Sequence, residues 1–179
     1  IWKEVARQYF TIFQKVKQER LENPRQVFRA QTLLTSSYTL PDIKLDHLKI
    51  LTDDTGMLQH AHFTVPDRAH GYCTDDNARA LIAVIMAQKF LPEETCLHQL
   101  VYRYLSFLDY AFNETSGRFR NFMTYDRRWL EEEGSDDSHG RALWALGEAV
   151  ARSKSDYLIA MALNLFEKAL PAVELMTSP

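Results

Sequence analysis

Two pairs of adjacent aspartates are the residues of this sequence whose types and spacing could do chemistry. Asp75 and Asp76 open a stretch, 75–87, that is almost wholly apolar, and Asp136 and Asp137 open a similar stretch later in the chain. Two carboxyl groups held near each other can act as a general acid and a general base, as in the cleavage of glycosidic bonds. A pattern that recurs with one small insertion indicates a structural repeat.

The repeat extends to both sides of the aspartates. Gly56 and Gly117 are separated by the same interval as Asp75 and Asp136, whereas Arg79 and Arg141, one turn inside each apolar stretch, are separated by one position more. We therefore place a one-residue insertion after the aspartates. Arginines inside buried helices require partners, and the nearby aspartates are the obvious ones. An aspartate held by arginine would have a lowered pKa, which would leave its free neighbour as the acid.

The aspartate pairs have a second interpretation, in which they only stabilise helix ends. Thr74 and Ser135 are good N-cap residues, and acidic side chains in a first turn complement the helix dipole. Capping requires one oxygen, so two consecutive aspartates at both helix starts exceed that requirement. Both interpretations stay open: four catalytic aspartates, or a structural network with Arg79 and Arg141.

Hydrophobic periodicity predicts the elements that must position these residues. Helices are expected at 1–21, 41–51, 75–89, 93–112, 136–152 and from about 156, with a linker or weak helix at 25–41. The two helices that begin with aspartates are apolar on nearly every face and must be buried, whereas those that follow bury one face only. The segments 57–73 and 117–134 are expected to be extended or irregular loops. This alternation predicts an all-α fold, a partial (α/α) toroid of stacked helical hairpins with short extended segments.

The predicted loops and helix starts carry side chains of the kind that bind sugars. Aromatic faces contact sugar rings, and charged and amide groups bind hydroxyls, although each aromatic residue could equally pack in the core. His139 follows the second aspartate pair and is either a proton carrier or a packing residue. The residues that we assign to substrate binding are Gln59, Arg68, Tyr72, Arg79, Asn121, Tyr125, Arg127, Trp129, His139 and Arg141.

Composition and charge exclude several classes of function. The sequence of 179 residues is 46 % hydrophobic and 25 % charged, with a net charge of −3. It therefore lacks the excess of basic residues that is typical of nucleic-acid-binding proteins, and it has no basic cluster that would bind a membrane surface. The longest apolar run is far too short to span a bilayer. The two cysteines, Cys73 and Cys96, make no disulfide framework, and we interpret them as reduced thiols of a cytoplasmic protein.

A small group of histidines gives a weaker indication of a metal site. His60 and His62 fall on one side of an extended segment, and with Asp67 or His70 they could bind zinc. The spacing of a four-ligand site is not evident, so we predict no metal and no other cofactor.

Four stretches of the sequence, 47–61, 71–81, 119–130 and 134–147, resemble a bacterial family. The second stretch reads Gly-Tyr-Cys-Thr-Asp-Asp-Asn-Ala-Arg-Ala-Leu, and the fourth reads Gly-Ser-Asp-Asp-Ser-His-Gly-Arg-Ala-Leu-Trp-Ala-Leu-Gly. They resemble the C-terminal helical domain fused to group 1 glycosyltransferases, which is similar to the six-hairpin glycosidase toroid. The resemblance covers about residues 42–179.

The resemblance implies a carbohydrate-active or carbohydrate-binding domain associated with a glycosyltransferase. If the domain is catalytic, it would attack a glycosidic bond by acid–base chemistry, with one carboxyl group from each aspartate pair. Whether it is an enzyme is left open by the motifs. The alternative from a different class is a non-catalytic helical-repeat domain for interaction or scaffolding, whose aspartates only cap helices.

The resemblance also implies domain boundaries. Residues 1–24 would be the end of a preceding glycosyltransferase domain, and 25–179 would be the helical domain. Six hairpins of ~60 residues need ~360, so a chain with about three hairpins would hold a truncated domain.

Truncation predicts an apolar edge. Helix 136–152 is apolar on nearly every face but has few elements after it, so Leu143, Trp144 or Leu146 would face no partner within the chain. A large exposed apolar patch is unusual on a monomer, and we therefore expect self-association. The alternative is that the following helix folds back over this edge. The expected partners are then carbohydrate, a glycosyltransferase domain and a second copy of the chain.

Overall fold

The structure is a computed structural model that describes residues 2–23 and 42–176. In the first compact unit, Ile1–Asp42, the described residues 2–23 form a helix, α1 (Trp2–Glu22), in which no residue is buried. The helical spacing of apolar residues correctly predicts this helix. The linker or weak helix predicted at 25–41 lies outside the described residues.

The second unit, Ile43–Pro179, contains both aspartate pairs. Its helices are α2 (Asp46–Leu51), α3 (Thr74–Ala87), α4 (Cys96–Ala111), α5 (Asp136–Arg152) and α6 (Asp156–Ala169), and a 3-10 helix follows at Leu170–Leu175. Its strands are β1 (Leu58–His62), β2 (Val65–Cys73), β3 (Phe112–Asn113), β4 (Arg118–Phe119) and β5 (Phe122–Met123).

The prediction of an all-α fold, a partial (α/α) toroid of stacked helical hairpins, is wrong. The described residues are about 60 % helical with 15 % strand, and the strands form two small antiparallel sheets, in the orders β1-β2-β5 and β3-β4. The segment expected to be a loop before α3 is a hairpin of β1 and β2. Periodicity does not show these strands because three have only two residues and β2 is buried only at its last three residues, with no alternation along the strand.

A glycine allows β5 to approach β2 closely. Gly71 has a φ of +67°, and a Cβ atom there would lie 2.1 Å from the carbonyl oxygen of Met123. Any other residue would therefore be both strained and in collision with the backbone of β5. Thr74, the first residue after β2, donates its N–H to the carbonyl of Asn121 over 2.9 Å. This contact places the segment before α5 beside the start of α3.

The two apolar helices are parallel neighbours. α3 packs against α5, while α4 packs against α3 and α6 against α5. The N-terminal ends of α3 and α5 are adjacent, because Arg141 Nε lies 2.8 Å from Asp75 Oδ1. Their C-terminal ends line one cavity of about 890 Å³. α3 and α5 bury Leu81 and Leu146 completely, and each such side chain contributes ~1.5–3 kcal/mol to folding.

Two buried polar side chains fasten these helices to the chain that precedes them. Asn77 Oδ1 accepts the N–H of Met57 over 2.8 Å, and Asn77 Nδ2 donates to the carbonyls of Cys73 and Met57 over 2.9 and 3.3 Å. His139 Nδ1 accepts the N–H of Phe119 over 3.3 Å. Asn77 and His139 are separated by the same number of residues as Met57 and Phe119. Arg79 and Arg141 have this same separation, which is one residue longer than that of Gly56 and Gly117. The structural repeat therefore keeps this longer interval through both helices.

This interval corrects the position of the insertion. Gly56 is equivalent to Gly117, but the residue after Gly56, Met57, is equivalent to Phe119, the second residue after Gly117. The extra residue is therefore Arg118, which lies before the second aspartate pair and not after it. As a consequence Asp75 is equivalent to Asp137, and Asp136 is equivalent to Thr74.

Candidate functional site

The side chains that cap α3 and α5 are not those of the aspartates. Cys73 caps α3, and its Sγ accepts the N–H of Asp76 over 3.4 Å. Ser135 caps α5, and its Oγ accepts the N–H of Ser138 over 3.2 Å. The prediction for Ser135 is therefore confirmed, whereas the prediction that Thr74 is an N-cap is wrong because Thr74 is already the first residue of the helix.

Three aspartates and two arginines form one group at these helix starts, which we call the acidic–arginine cluster. Arg79 Nη2 lies 2.8 Å from Asp75 Oδ2 and 2.5 Å from Asp76 Oδ1. Arg141 Nε donates to Asp137 Oδ2 over 2.9 Å and lies 2.8 Å from Asp75 Oδ1. Arg141 therefore ties α5 to α3. Each arginine follows its equivalent aspartate at the i,i+4 spacing, at which helix side chains meet.

Asp136 lies apart from this cluster. Its Oδ1 accepts a hydrogen bond from Arg118 Nη2 over 2.7 Å. Neighbouring residues of a helix point about 100° apart, and here Asp137 binds Arg141 whereas Asp136 binds Arg118. Of the four predicted catalytic aspartates, the structure thus brings together Asp75, Asp76 and Asp137.

The pKa values of the two bridged aspartates are shifted in opposite directions. Burial raises the pKa of Asp75, against the opposing effect of Arg79 and Arg141. The hydrogen bond from Arg141 lowers the pKa of Asp137. A pair of carboxyl groups with pKa values moved in opposite directions is the pattern of an acid and a base.

The position of Arg141 limits what this pair can do. The nearest oxygens of Asp75 and Asp137 lie 2.8 and 2.9 Å from one nitrogen. These oxygens are therefore closer than the ~6.5–9.5 Å between the carboxyl groups of an inverting glycosidase, which leaves room for a water molecule. The guanidinium also occupies the place that a scissile bond would need. In this conformation the cluster does not have the geometry of an inverting glycosidase.

Three of the predicted binding residues, Arg68 and Tyr72 of β2 and Tyr125 of the turn after β5, form a second group. The rings of Tyr72 and Tyr125 stack with centroids 6.2 Å apart, and Arg68 Nε donates to Tyr125 Oη over 3.0 Å. Tyr72 is buried, and its hydroxyl donates to Asp53 Oδ2 over 2.6 Å. Burial raises the pKa of Tyr72, and the bond to Asp53 adds to this effect. Sequence patterns did not indicate Asp53, whose only signal is the turn sequence that contains it.

Two of the other predicted binding residues, Arg127 and Trp129, adjoin this group through Phe107, which packs against Tyr72. Arg127 pairs with Asp54 over 2.9 Å beside a cavity of about 300 Å³. Trp129 is half-buried and packs against the rings of Phe107 and Tyr110 at 5.8 and 5.5 Å. Gln59 donates to the carbonyl of His70, and Asn121 Oδ1 accepts the N–H of Asp75 at the edge of the cluster.

His139 is enclosed by protein on every side. It is fully buried, Nδ1 accepts a backbone N–H, and Nε2 lies 3.1 Å from the carbonyl of Ala169. Burial lowers its pKa, so the neutral ring is favoured. The structure therefore gives His139 the packing role that was the alternative to proton transfer.

Cys73 is a residue of the site that sequence reasoning missed. Its Sγ donates to Asp76 Oδ2 over 3.0 Å, and burial raises the pKa of the thiol. Among the described residues, donor atoms of Cys73, Asp75 and Asp76 all lie within 4.8 Å of one another, a spacing that could hold a metal ion. However, arginines already bind both carboxylates and the thiol donates to Asp76, so the polar groups of this trio have partners within the protein.

Comparison with known proteins does not identify the chain. A scan against protein-family models and a search of curated proteins both found no match. Within the described ranges, every helix is too short or too polar to cross a membrane.

Proposed function

We propose that the second unit is a carbohydrate-binding domain and that the ligand binds at the acidic–arginine cluster. The observation that carries the proposal is the salt bridge of Arg141 to both Asp75 and Asp137, which fixes carboxylates and guanidinium groups at the joined ends of two packed helices. Asp137 is 67 % exposed, and Arg79 and Arg141 are partly exposed. Polar groups that are both fixed and accessible bind a ligand with little loss of their own freedom.

The chemistry of the cluster suits a sugar. A hydroxyl group donates one hydrogen bond and accepts others, so neighbouring hydroxyls can bind a carboxylate and a guanidinium side by side. Hydrogen bonds to charged groups are about twice as strong as those between neutral groups.

An exposed aromatic ring lies beside the cluster. Phe122 of β5 is directly opposite Cys73 of β2, and it is 41 % exposed. Opposite residues in an antiparallel pair project from the same face with Cβ atoms ~4.5–5.5 Å apart. Because the Cys73 thiol contacts Asp76, the Phe122 ring is close to the cluster and could contact the apolar face of a sugar.

The four stretches described above suggest the biological setting. They resemble the helical domain that is attached to group 1 glycosyltransferases, and the bound glycan would then be the acceptor or the product of such an enzyme. Cys73 and Cys96 are free thiols, which fits the cytoplasm.

Cleavage of a glycosidic bond is the second candidate function. It is favoured by the raised pKa of Asp75 and the lowered pKa of Asp137, with Asp75 as the acid and Asp137 as the base. It requires ligand binding to move Arg141 out of the space between them.

A glycan array probed with the labelled protein would test the primary proposal, followed by calorimetry on any glycan retained. Asp137→Asn removes the charge of an exposed residue, and the loss of one charge-assisted hydrogen bond, ~1.5–3 kcal/mol, should weaken binding about 10- to 100-fold. Asp126→Asn is the matched control, because Asp126 is an exposed aspartate outside the cluster. No retained glycan, or equal effects of the two variants, would contradict the proposal.

Prolonged incubation of a retained glycan separates the two candidates. Product sugars that disappear with Asp75→Asn would favour cleavage. Binding without any product would favour recognition alone.

A further inference from the structure

The cavity of about 890 Å³ is at the end of the second unit where α3 and α5 finish. It is lined by residues from the ends of these two helices, from the starts of α4 and α6, and from the connections 88–95 and 153–155. The acidic–arginine cluster is at the other end of α3, about 20 Å away along the helix. The cavity is therefore separate from the proposed carbohydrate site, and its volume is typical of small-molecule pockets, which are ~300–1,000 Å³.

The interior of this cavity is apolar. Ile85, Leu97 and Leu158 line it, and each of them is at most 4 % exposed. Met86 and Phe90 line it too, but they are 46 % and 63 % exposed. Apolar surface therefore extends from the buried floor to residues that reach solvent. A ligand with an apolar body would remove this surface from water, which is favourable.

Four charged residues line the cavity, three basic and one acidic, and two of the four are neutralised by partners outside it. Glu94 Oε1 lies 3.2 Å from Lys49 Nζ. Arg152 forms a salt bridge with Glu148 of the same helix. The lining that remains to be accounted for is therefore only positively charged.

The remaining two charged residues are Lys89 and Lys154. Among the described residues neither forms a salt bridge, and Lys89 Nζ lies 5.9 Å from the centroid of the Phe90 ring. Two hydroxyl groups line the cavity as well, those of Thr95 and Ser155. These residues are the N-caps of α4 and α6, but neither side chain accepts a hydrogen bond from its helix. Both hydroxyls can therefore donate to a ligand.

We propose that this cavity binds a small organic anion with an apolar body. Its carboxylate or phosphate head contacts Lys89 and Lys154, and its body covers Phe90 and the buried floor. A neutral ligand of the same shape would leave both ammonium groups without a partner, and a cation would be repelled by them. The charge of the lining thus selects an anion.

NMR titration of the full chain with three probes would test this site. Octanoate and octyl phosphate supply the two anionic heads, and octan-1-ol has the same apolar chain without a charge. Both anions should shift the amide signals of residues 85–91, 95–98 and 152–158, and they should bind about tenfold more tightly than octan-1-ol. The tighter of the two anions identifies the head group.

Substitution of the two lysines would test the role of their charges. Lys89→Gln and Lys154→Gln should each weaken octanoate binding about two- to fivefold, as expected for partly exposed charges, and the double variant about tenfold. Binding of octan-1-ol should be unchanged in all three. Lys44→Gln is the matched control, because Lys44 is an exposed lysine outside the cavity, and it should leave the affinity for octanoate unchanged.

Four results would overturn the proposal. The first is the absence of binding of either anion to the unsubstituted chain, and the second is equal affinity for octanoate and octan-1-ol. The third is a set of shifted signals confined to α1, which would mean adsorption to its exposed aromatic rings. The fourth is a double variant that melts at a lower temperature but binds octanoate unchanged, because the lysines would then only complement the C-terminal ends of α3 and α5. None of these results depends on carbohydrate binding.

Discussion

Replacement of Asn77 would test how α3 is fastened in the fold. This fully buried side chain accepts the N–H of Met57 and donates to the carbonyls of Met57 and Cys73. Asn77→Ala removes all three hydrogen bonds and adds no group that could replace them. A buried backbone group left unpaired costs ~1–3 kcal/mol, and since Met57 is half-buried, water can reach part of it. We therefore expect a loss of about 2–4 kcal/mol in the free energy of unfolding.

Urea unfolding followed by tryptophan fluorescence would measure this loss. Asn164→Ala is the matched control, because Asn164 is an exposed residue of α6, and surface changes of this kind fall within ~0.5 kcal/mol. Asn77→Asp keeps the acceptor for Met57 but cannot donate to the carbonyls, so it should also destabilise the fold. The reasoning is refuted if Asn77→Ala costs no more than Asn164→Ala with an unchanged denaturant slope.

Two further predictions concern His139 and Trp144. Burial lowers the pKa of His139 below its ordinary value of ~6.5, so the stability that its neutral ring contributes is present above that pH and is lost as the pH falls. The free energy of unfolding should therefore decline from pH 7 to pH 5 more steeply than in His139→Gln. The same pH dependence in both proteins would contradict the prediction. Trp144 is 56 % exposed, and self-association through it should give a mass in light scattering that rises with concentration and falls in Trp144→Gln. A wild-type chain that stays monomeric throughout would contradict it.

The helices could be predicted from the sequence because their evidence is local. The predicted bounds of the helix at 136–152 match α5, and the predicted helix at 75–89 differs from α3 by one residue at its start and two at its end. Apolar periodicity and boundary residues such as Pro92 are sufficient for this. Self-association was expected from three residues of α5, but Leu143 and Leu146 are buried and only Trp144 is exposed. Both leucines belong to the core cluster, and α5 packs against α3 as well as α6.

The strands could not be predicted in the same way because contacts distant in sequence stabilise them. β5 is two residues long and exists because β2 lies beside it, which depends on the close approach at Gly71. The spacing of four between aspartate and arginine within each helix could be recognised in advance. The bridge from Arg141 to Asp75 could not, because it requires the two helices to be parallel neighbours.

The equivalence of the two repeats assigns different roles to the two members of each aspartate pair. In the first repeat, Thr74 is the first helical residue, and its hydroxyl donates to the carbonyl of Arg120 over 2.5 Å. In the second repeat, Asp136 has the same position and binds Arg118. Both residues therefore tie a helix start to the segment around β4.

The next residue of each helix, Asp75 or Asp137, turns about 100° away from that segment and toward the other helix. The guanidinium of Arg141 can therefore bridge Asp75 and Asp137, although the sequence motif alone would align Asp75 with Asp136. The ligand that we propose at the joined helix ends would meet Asp75 and Asp137 together, whereas Asp136 binds Arg118 of the segment before α5. Substitution of Asp136 should therefore lower the stability of the fold, whereas substitution of Asp137 should weaken ligand binding.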